Sequence, residues 1–183
     1  MRIAIFASGN GTNAEALAKA FPDQVKLIFS DHRDAYVLER AERLGIMTEA
    51  FELREFDGKR AYEEAIVALL EAQKIDLVCL AGYMKIISQT LLSAYEGRII
   101  NIHPSYLPAF GGTPHAIEES WQAKSGLGVT VHLVDAGVDT GMIIAQRKVP
   151  YMEKLEDYEV RLHQVEHELY PEVIKNWIEK EQS

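Results

Sequence analysis

A chain of 183 residues with 48% apolar and 26% charged side chains has the usage of one globular domain and excludes the disordered and fibrous classes. Its 19 basic and 28 acidic residues leave a net charge of −9, which argues against broad nucleic-acid binding, because such affinity comes largely from neutralising phosphates. No stretch approaches the roughly 20 apolar residues of a membrane span, the opening "MRIAIFASGNGTN" lacks the pattern of a cleaved leader, and the single Cys79 permits neither an intrachain disulfide nor a thiolate metal cage. A cytoplasmic protein is expected.

Along the chain, short β-branched runs alternate with amphipathic segments. "RIAIFA" reads as a strand and leads through "SGNGTN" into a helical stripe of Ala14, Leu17, Ala18 and Phe21. Glycines let backbone amides approach an anion, and a helix N-terminus adds N–H groups and a favourable dipole, so Gly9, Gly11, Thr12 and Asn13 are candidate phosphate ligands. The alternative is a tight turn with Thr12 or Asn13 as the N-cap. No Gly-Lys-Ser/Thr follows the loop, so it suits a single phosphate better than a nucleoside triphosphate.

"VKLIFS" is the next strand, followed by a helix over "DAYVLERAERLG" in which Tyr36, Val37, Ala41 and Leu44 share a face and Gly45 marks the stop. After the strand "IMTEAF", "KRAYEEAIVALLEAQK" places Tyr62, Ile66, Leu69 and Leu70 on one stripe, with Glu63, Glu64 and Glu71 outside it. "IDLVCLAG" and "RIINIH" are further strands. Strands separated by helices of this length predict βαβ units: a Rossmann-like, mostly parallel sheet with helices on both faces.

The second half changes pattern. "GVTVHLVDAG" and "MIIAQRKVP", separated by "VDTG", predict an antiparallel addition to the sheet. "LEDYEVRLHQVEHELYPEVIKNWIEK" predicts a C-terminal helix broken or kinked near Tyr170, because Pro171 lacks an amide donor. The whole chain, 1–183, reads as one α/β domain.

In "IINIHPSYLPAF", alternation along the strand places Asn101 and His103 together on the face opposite Ile100 and Ile102. Polar groups there are costly to bury without partners. They sit at the carboxyl end of the strand, where open parallel sheets bind ligands. "VHLVDAGVDTG" adds His132, Asp135 and Asp139. An amide donor, an imidazole and a carboxylate together suit acyl or formyl transfer.

With "ASGNGTN", "AGYMKIIS", "GRIINIHPSYLPAF", "GVTVHLVDAGVDTGMIIAQ" and "VEHELYP" in this order, nearly the whole chain resembles the folate-dependent formyltransferases. The resemblance implies a metal-free transfer from 10-formyltetrahydrofolate, as co-substrate, to a primary amine through a tetrahedral oxyanion. The glycine loop narrows the implied acceptor to glycinamide ribonucleotide of purine biosynthesis. By similarity, Asn101 and His103 stabilise the oxyanion and Asp139 keeps His103 protonated. Gly11, Thr12 and Asn13 fall on the nucleotide-phosphate site and Glu166 on a carboxylate that holds the nucleotide. Lys59, Met84, Lys85, Ile86, Ile87, Asn101 and Val138 fall on the folate site. Residues 1–100 then form the phosphate-binding half and 101–183 the catalytic and folate-binding half, in a monomer or homodimer.

Two departures stand out: Gly111-Gly112, where the family usually reads Pro-Gly, and Met142, where proline is common. Thr113 is expected to cap the next helix, with Pro114 at its first position. "HQVEH", 163–167, also fits the inverted zinc-peptidase spacing, but it lies where little chain follows to supply another ligand, so no metal is expected. Within the superfamily, formyltetrahydrofolate deformylase and a tRNA formyltransferase fit less well, since those enzymes typically add an N-terminal regulatory or a basic C-terminal domain. A non-catalytic folate- or nucleotide-binding protein is the remaining alternative; it would be marked by loss of Asn101, His103 or Asp139, and all three are present.

Overall fold

A computed structural model describes all residues from 1 to 183. The β-branched runs form seven strands: β1 (Ile3–Phe6), β2 (Val25–Ser30), β3 (Met47–Ala50), β4 (Leu77–Leu80), β5 (Ile99–His103), β6 (Gly128–Leu133) and β7 (Ile143–Lys148). The helices are α1 (Thr12–Ala20), α2 (Tyr36–Arg43), α3 (Lys59–Ala72), α4 (Gln89–Ala94), α5 (Ala116–Ala123) and α6 (Leu155–Glu181). The sheet order is β3-β2-β1-β4-β5-β6-β7. It is mixed and mostly parallel, the fold class expected. The chain groups into two units, Met1–Ile100 and Asn101–Ser183.

In the first unit β1 pairs in parallel with both β2 and β4, and β2 with β3. The chain winds outward from β1 to β3 and then returns past β1 to β4. Right-handed crossovers therefore place α1 and α2 on the face opposite α3, and the carboxyl ends of β1 and β4 become the point where strand order reverses. All residues of β1 and β4 are buried, as expected of strands covered on both faces. Phe6, Phe29 and Tyr83 form an aromatic cluster, with ring centroids 4.8 to 6.4 Å apart.

Helix α3 buries Tyr62, Ile66 and Leu70, but Glu63 belongs to the buried face as well. Its carboxylate accepts the N–H groups of Ser88, at 2.8 Å, and Leu91, at 2.9 Å. A side chain from another helix thus caps α4, a six-residue helix that has no side-chain cap from its own N-cap residue. Tyr36, expected inside, is 39% exposed; its ring instead carries the Arg40 and Arg43 guanidinium groups at 4.9 and 5.5 Å.

In the second unit β6 and β7 pair antiparallel, with an irregularity between Val131 and His132. Helix α6 packs on both and on α5, through a stripe that includes Tyr158, Leu162, Val165, Leu169 and Val173. It runs through Pro171 as one helix of 27 residues, so of the expected break or kink the break does not occur. Proline forfeits one bond, to the His167 carbonyl, at a cost of about 3 kcal/mol. Leu169, Tyr170, Val173 and Ile174, all buried around it, hold the helix in place. Helix α5 begins at Ala116 with His115 as N-cap, so Thr113 is no cap; its hydroxyl instead accepts the His115 N–H at 3.1 Å.

Candidate active site

At the reversal point of the first unit, residues 8–13, His32, Ala81, Gly82 and Met84 line a cavity of about 410 Å³. Gly11 is the N-cap of α1, with φ of 81°, and as glycine it brings no side-chain cap, so neither Thr12 nor Asn13 takes the N-cap role. A Cβ at Gly11 would strike the Val37 side chain and come within 3.0 Å of its Cα. Glycine is required there both by conformation and by the close approach of α2. A helix start opening into a cavity is the geometry that receives a phosphate. Ser8 ties this loop to the next one: its N–H donates to the Gly82 carbonyl at 3.0 Å, and its hydroxyl accepts the Met84 N–H at 2.8 Å.

The segment after β4 carries the expected folate contacts of this unit. Met84 and Ile86 are 68% and 61% exposed, whereas Ile87 is buried. Lys59 donates to the Ile86 carbonyl at 2.6 Å, and burial pushes its ammonium pKa down. Lys85 lies 3.9 Å from the buried Asp31 carboxylate and 5.6 Å from the centre of the Tyr62 ring. Exposed apolar side chains flanked by ammonium groups suit a flat heteroaromatic ligand with a carboxylate tail.

The second unit brings Asn101, His103 and Asp139 together, and adds His132. His103 is almost fully buried. Its Nε2 lies 2.9 Å from the Phe110 carbonyl and its Nδ1 3.4 Å from Asp139 Oδ2. Both ring nitrogens face acceptors, an arrangement that only the doubly protonated ring satisfies in full. His132 Nδ1 lies 2.8 Å from the Leu133 carbonyl and must donate to it; in the neutral ring, Nε2 then accepts from Asn101 Nδ2 at 3.3 Å. The same Nε2 is 3.7 Å from Asp139 Oδ1. Burial pushes the Asp139 carboxyl pKa up, but a protonated His132 ring, the Gly112 N–H and the charge of His103 outweigh it and hold the pKa below the usual value. Asp139 therefore stays ionised beside His103 at neutral pH.

The prolyl loop after β5 is braced from below. Thr130 Oγ1 donates to the Ser105 carbonyl at 2.8 Å and accepts the Leu107 N–H at 3.0 Å, while Gln146 donates to the Leu107 carbonyl at 2.8 Å. A Cβ on Gly126 would lie 2.6 Å from Ala109 Cβ, so glycine there lets the loop settle. The atypical pair has distinct work. The Gly111 N–H, which proline would lack, reaches the Pro108 carbonyl at 3.4 Å, and the Gly112 N–H donates to Asp139 at 2.9 Å. Phe110 did not stand out in the sequence, and Gly112 did so only as part of a departure from the family pattern, because each contributes a backbone group. Met142 is 68% exposed and Val138 46%.

On α6, Glu166 is buried and lies 2.6 Å from His163 Nδ1. That bond raises the His163 pKa, whereas burial lowers that of His167. "HQVEH" carried this pair at i,i+3 spacing, although its zinc-like form drew attention elsewhere. No group of three or more histidine, cysteine or carboxylate side chains assembles a metal-ligand set.

The chain is similar to several phosphoribosylglycinamide formyltransferases. Phosphoribosylglycinamide formyltransferase of Bacillus subtilis is 45% identical over 95% of this chain and 93% of its own; the protein of that name from Escherichia coli is 35% identical over 95% and 85%. The crystal structure of phosphoribosylglycinamide formyltransferase from Streptococcus pneumoniae superposes with a TM-score of 0.93 at 58% identity, covering 97% of this chain and 98% of that one. The sequence profile described as formyl transferase matches residues 1–174, and with relatives this similar over almost their full length the chain belongs to the formyl transferase family.

Proposed function

We propose that this chain transfers the formyl group of 10-formyltetrahydrofolate to the primary amine of glycinamide ribonucleotide, the acceptor that its relatives' names give, using Asn101, His103 and Asp139. The observation that carries the residue assignment is the His103 ring, held between the Asp139 carboxylate and the Phe110 carbonyl.

The amine lone pair attacks the formyl carbon, and the carbonyl electrons move onto oxygen. Asn101 Nδ2 spends one hydrogen on His132 and keeps one for the oxyanion. His103 Nε2–H, which donates to the Phe110 carbonyl, transfers its bond to the same oxygen. Asp139 compensates the imidazolium charge, so the donor is in place before charge develops. Collapse of the intermediate breaks the bond from the formyl carbon to the folate nitrogen; that nitrogen gains a proton and the attacking amine loses one. Gly11, Thr12 and Asn13 receive the phosphate and Glu166 holds the nucleotide. Lys59, Met84 to Ile87, Asn101 and Val138 contact the folate. The working unit is one domain over 1–183, monomeric or homodimeric, acting in the cytoplasm on small molecules and not on nucleic acid, which agrees with the net charge of −9 and the free Cys79.

The test follows the absorbance of formyl-tetrahydrofolate in the presence and absence of glycinamide ribonucleotide. Loss of the formyl group that requires the nucleotide is the expected result. Equal release of formate without it would identify a deformylase, and no turnover with either would leave a binding protein.

A further inference from the structure

We propose that Arg40 is a positioning residue that sets the shape of the phosphate loop, and that Glu15 anchors its guanidinium in that position. The inference rests on the reading of residues 11–13 as a phosphate site. An arginine beside such a loop would ordinarily be taken for a phosphate ligand, since its planar fork matches an oxyanion. Here the fork is already committed. Nε donates to the Asn10 carbonyl at 2.6 Å, Nη2 to Asn10 Oδ1 at 2.9 Å, and Nη1 to Glu15 Oε2 at 2.5 Å. The Tyr36 ring covers one face of the guanidinium, and the side chain is 19% exposed.

These bonds have a purpose that a surface ion pair lacks. Helix α2 grips three consecutive loop residues: Val37 N–H donates to the Gly9 carbonyl at 3.0 Å, Arg40 holds both ends of Asn10, and the Val37 side chain abuts Gly11. Glu15, the acidic residue in the first turn of α1, is the fourth anchor. The N–H groups that start α1 are backbone donors and can be aimed only by fixing the chain that carries them. Arg40 is the group that joins that chain to both helices at once.

Lysine discriminates between positioning and charge. It keeps the positive charge but has one nitrogen, so it cannot hold the Asn10 carbonyl, the Asn10 amide and Glu15 together. For Arg40→Lys we expect KM for glycinamide ribonucleotide to rise about tenfold, the worth of one or two lost hydrogen bonds, with kcat within about twofold of wild type. Binding of inorganic phosphate, measured by calorimetry at fixed ionic strength, should weaken by the same factor. Glu15→Gln should act in the same direction, and the double variant should be no worse than the larger single effect, because both remove one anchor. Thermal unfolding checks that each variant is folded. Tighter phosphate binding in Glu15→Gln, or a wild-type KM in Arg40→Lys, would overturn the positioning role while leaving the phosphate site intact. A wild-type protein that binds no phosphate would overturn the site and the role together.

Discussion

The glycine loop and the Asn101-His103-Asp139 cluster are built in opposite ways. The loop is contiguous, residues 8–13, and offers backbone groups at the start of α1; its Ser8 and Asn10 side chains tie it to neighbouring segments, and glycine at 11 admits the close approach of α2. The cluster draws on the end of β5, on β6 and on the turn before β7, and works through side chains, His103 buried and Asn101 and Asp139 half-buried, that hydrogen bonds and an ion pair hold in place. A site made of backbone is sensitive to conformation and tolerant of chemistry. A site made of side chains is the reverse.

That contrast can be broken by substitution. The largest effect is expected for His103→Ala, a fall in kcat of about 10²–10⁴, the usual worth of a positioned acid, with the thermal midpoint near wild type. Turnover close to wild type would remove His103 from the mechanism. Asn101→Ala should lower kcat by about 10²–10³ if it is an oxyanion donor, and steady-state kinetics with both substrates saturating would show it. In the loop, Gly11→Ala keeps the chemistry and breaks the conformation. Strain at positive φ together with the clash against Val37 should cost about 1–3 kcal/mol of stability, raise KM for the nucleotide and spare kcat. A loss confined to kcat would mean that the loop is not a binding element.

The smallest effect sharpens the comparison on α6. Glu166 raises the pKa of His163, so the stabilisation from this pair is fully present below the unfolded-state histidine value, about 6.5, and fades as pH rises through the raised folded value. The gap in melting temperature between wild type and His163→Gln should therefore be widest in mildly acidic buffer and close at alkaline pH. A gap independent of pH would show that packing, and not the charge pair, is what His163 contributes.

Much of this was legible in sequence because it is local. β-Branched runs gave β2 at its observed limits, Val25–Ser30, and the alternation in "IINIH" correctly grouped Asn101 with His103. What escaped shares a different cause. Glu63 looked like a solvated glutamate because nothing near it in sequence reveals that α4 needs a cap. Tyr36 looked like a core residue because helical spacing cannot know that two arginines will cover its ring. Pro171 looked like a break because propensity is local, while the burial that overrides it is not.

Periodicity, glycine placement and residue chemistry thus determined the order of the elements, the class of sheet and the side chains suited to acyl transfer. Tertiary structure alone decided which hydrogen-bonding groups meet: the Phe110 carbonyl and Gly112 N–H that complete the His103-Asp139 pair, and the Arg40 fork that shapes the loop. The physical reason is that hydrogen bonds are short and directional, so their partners are chosen by the packing of distant segments, which no local pattern records.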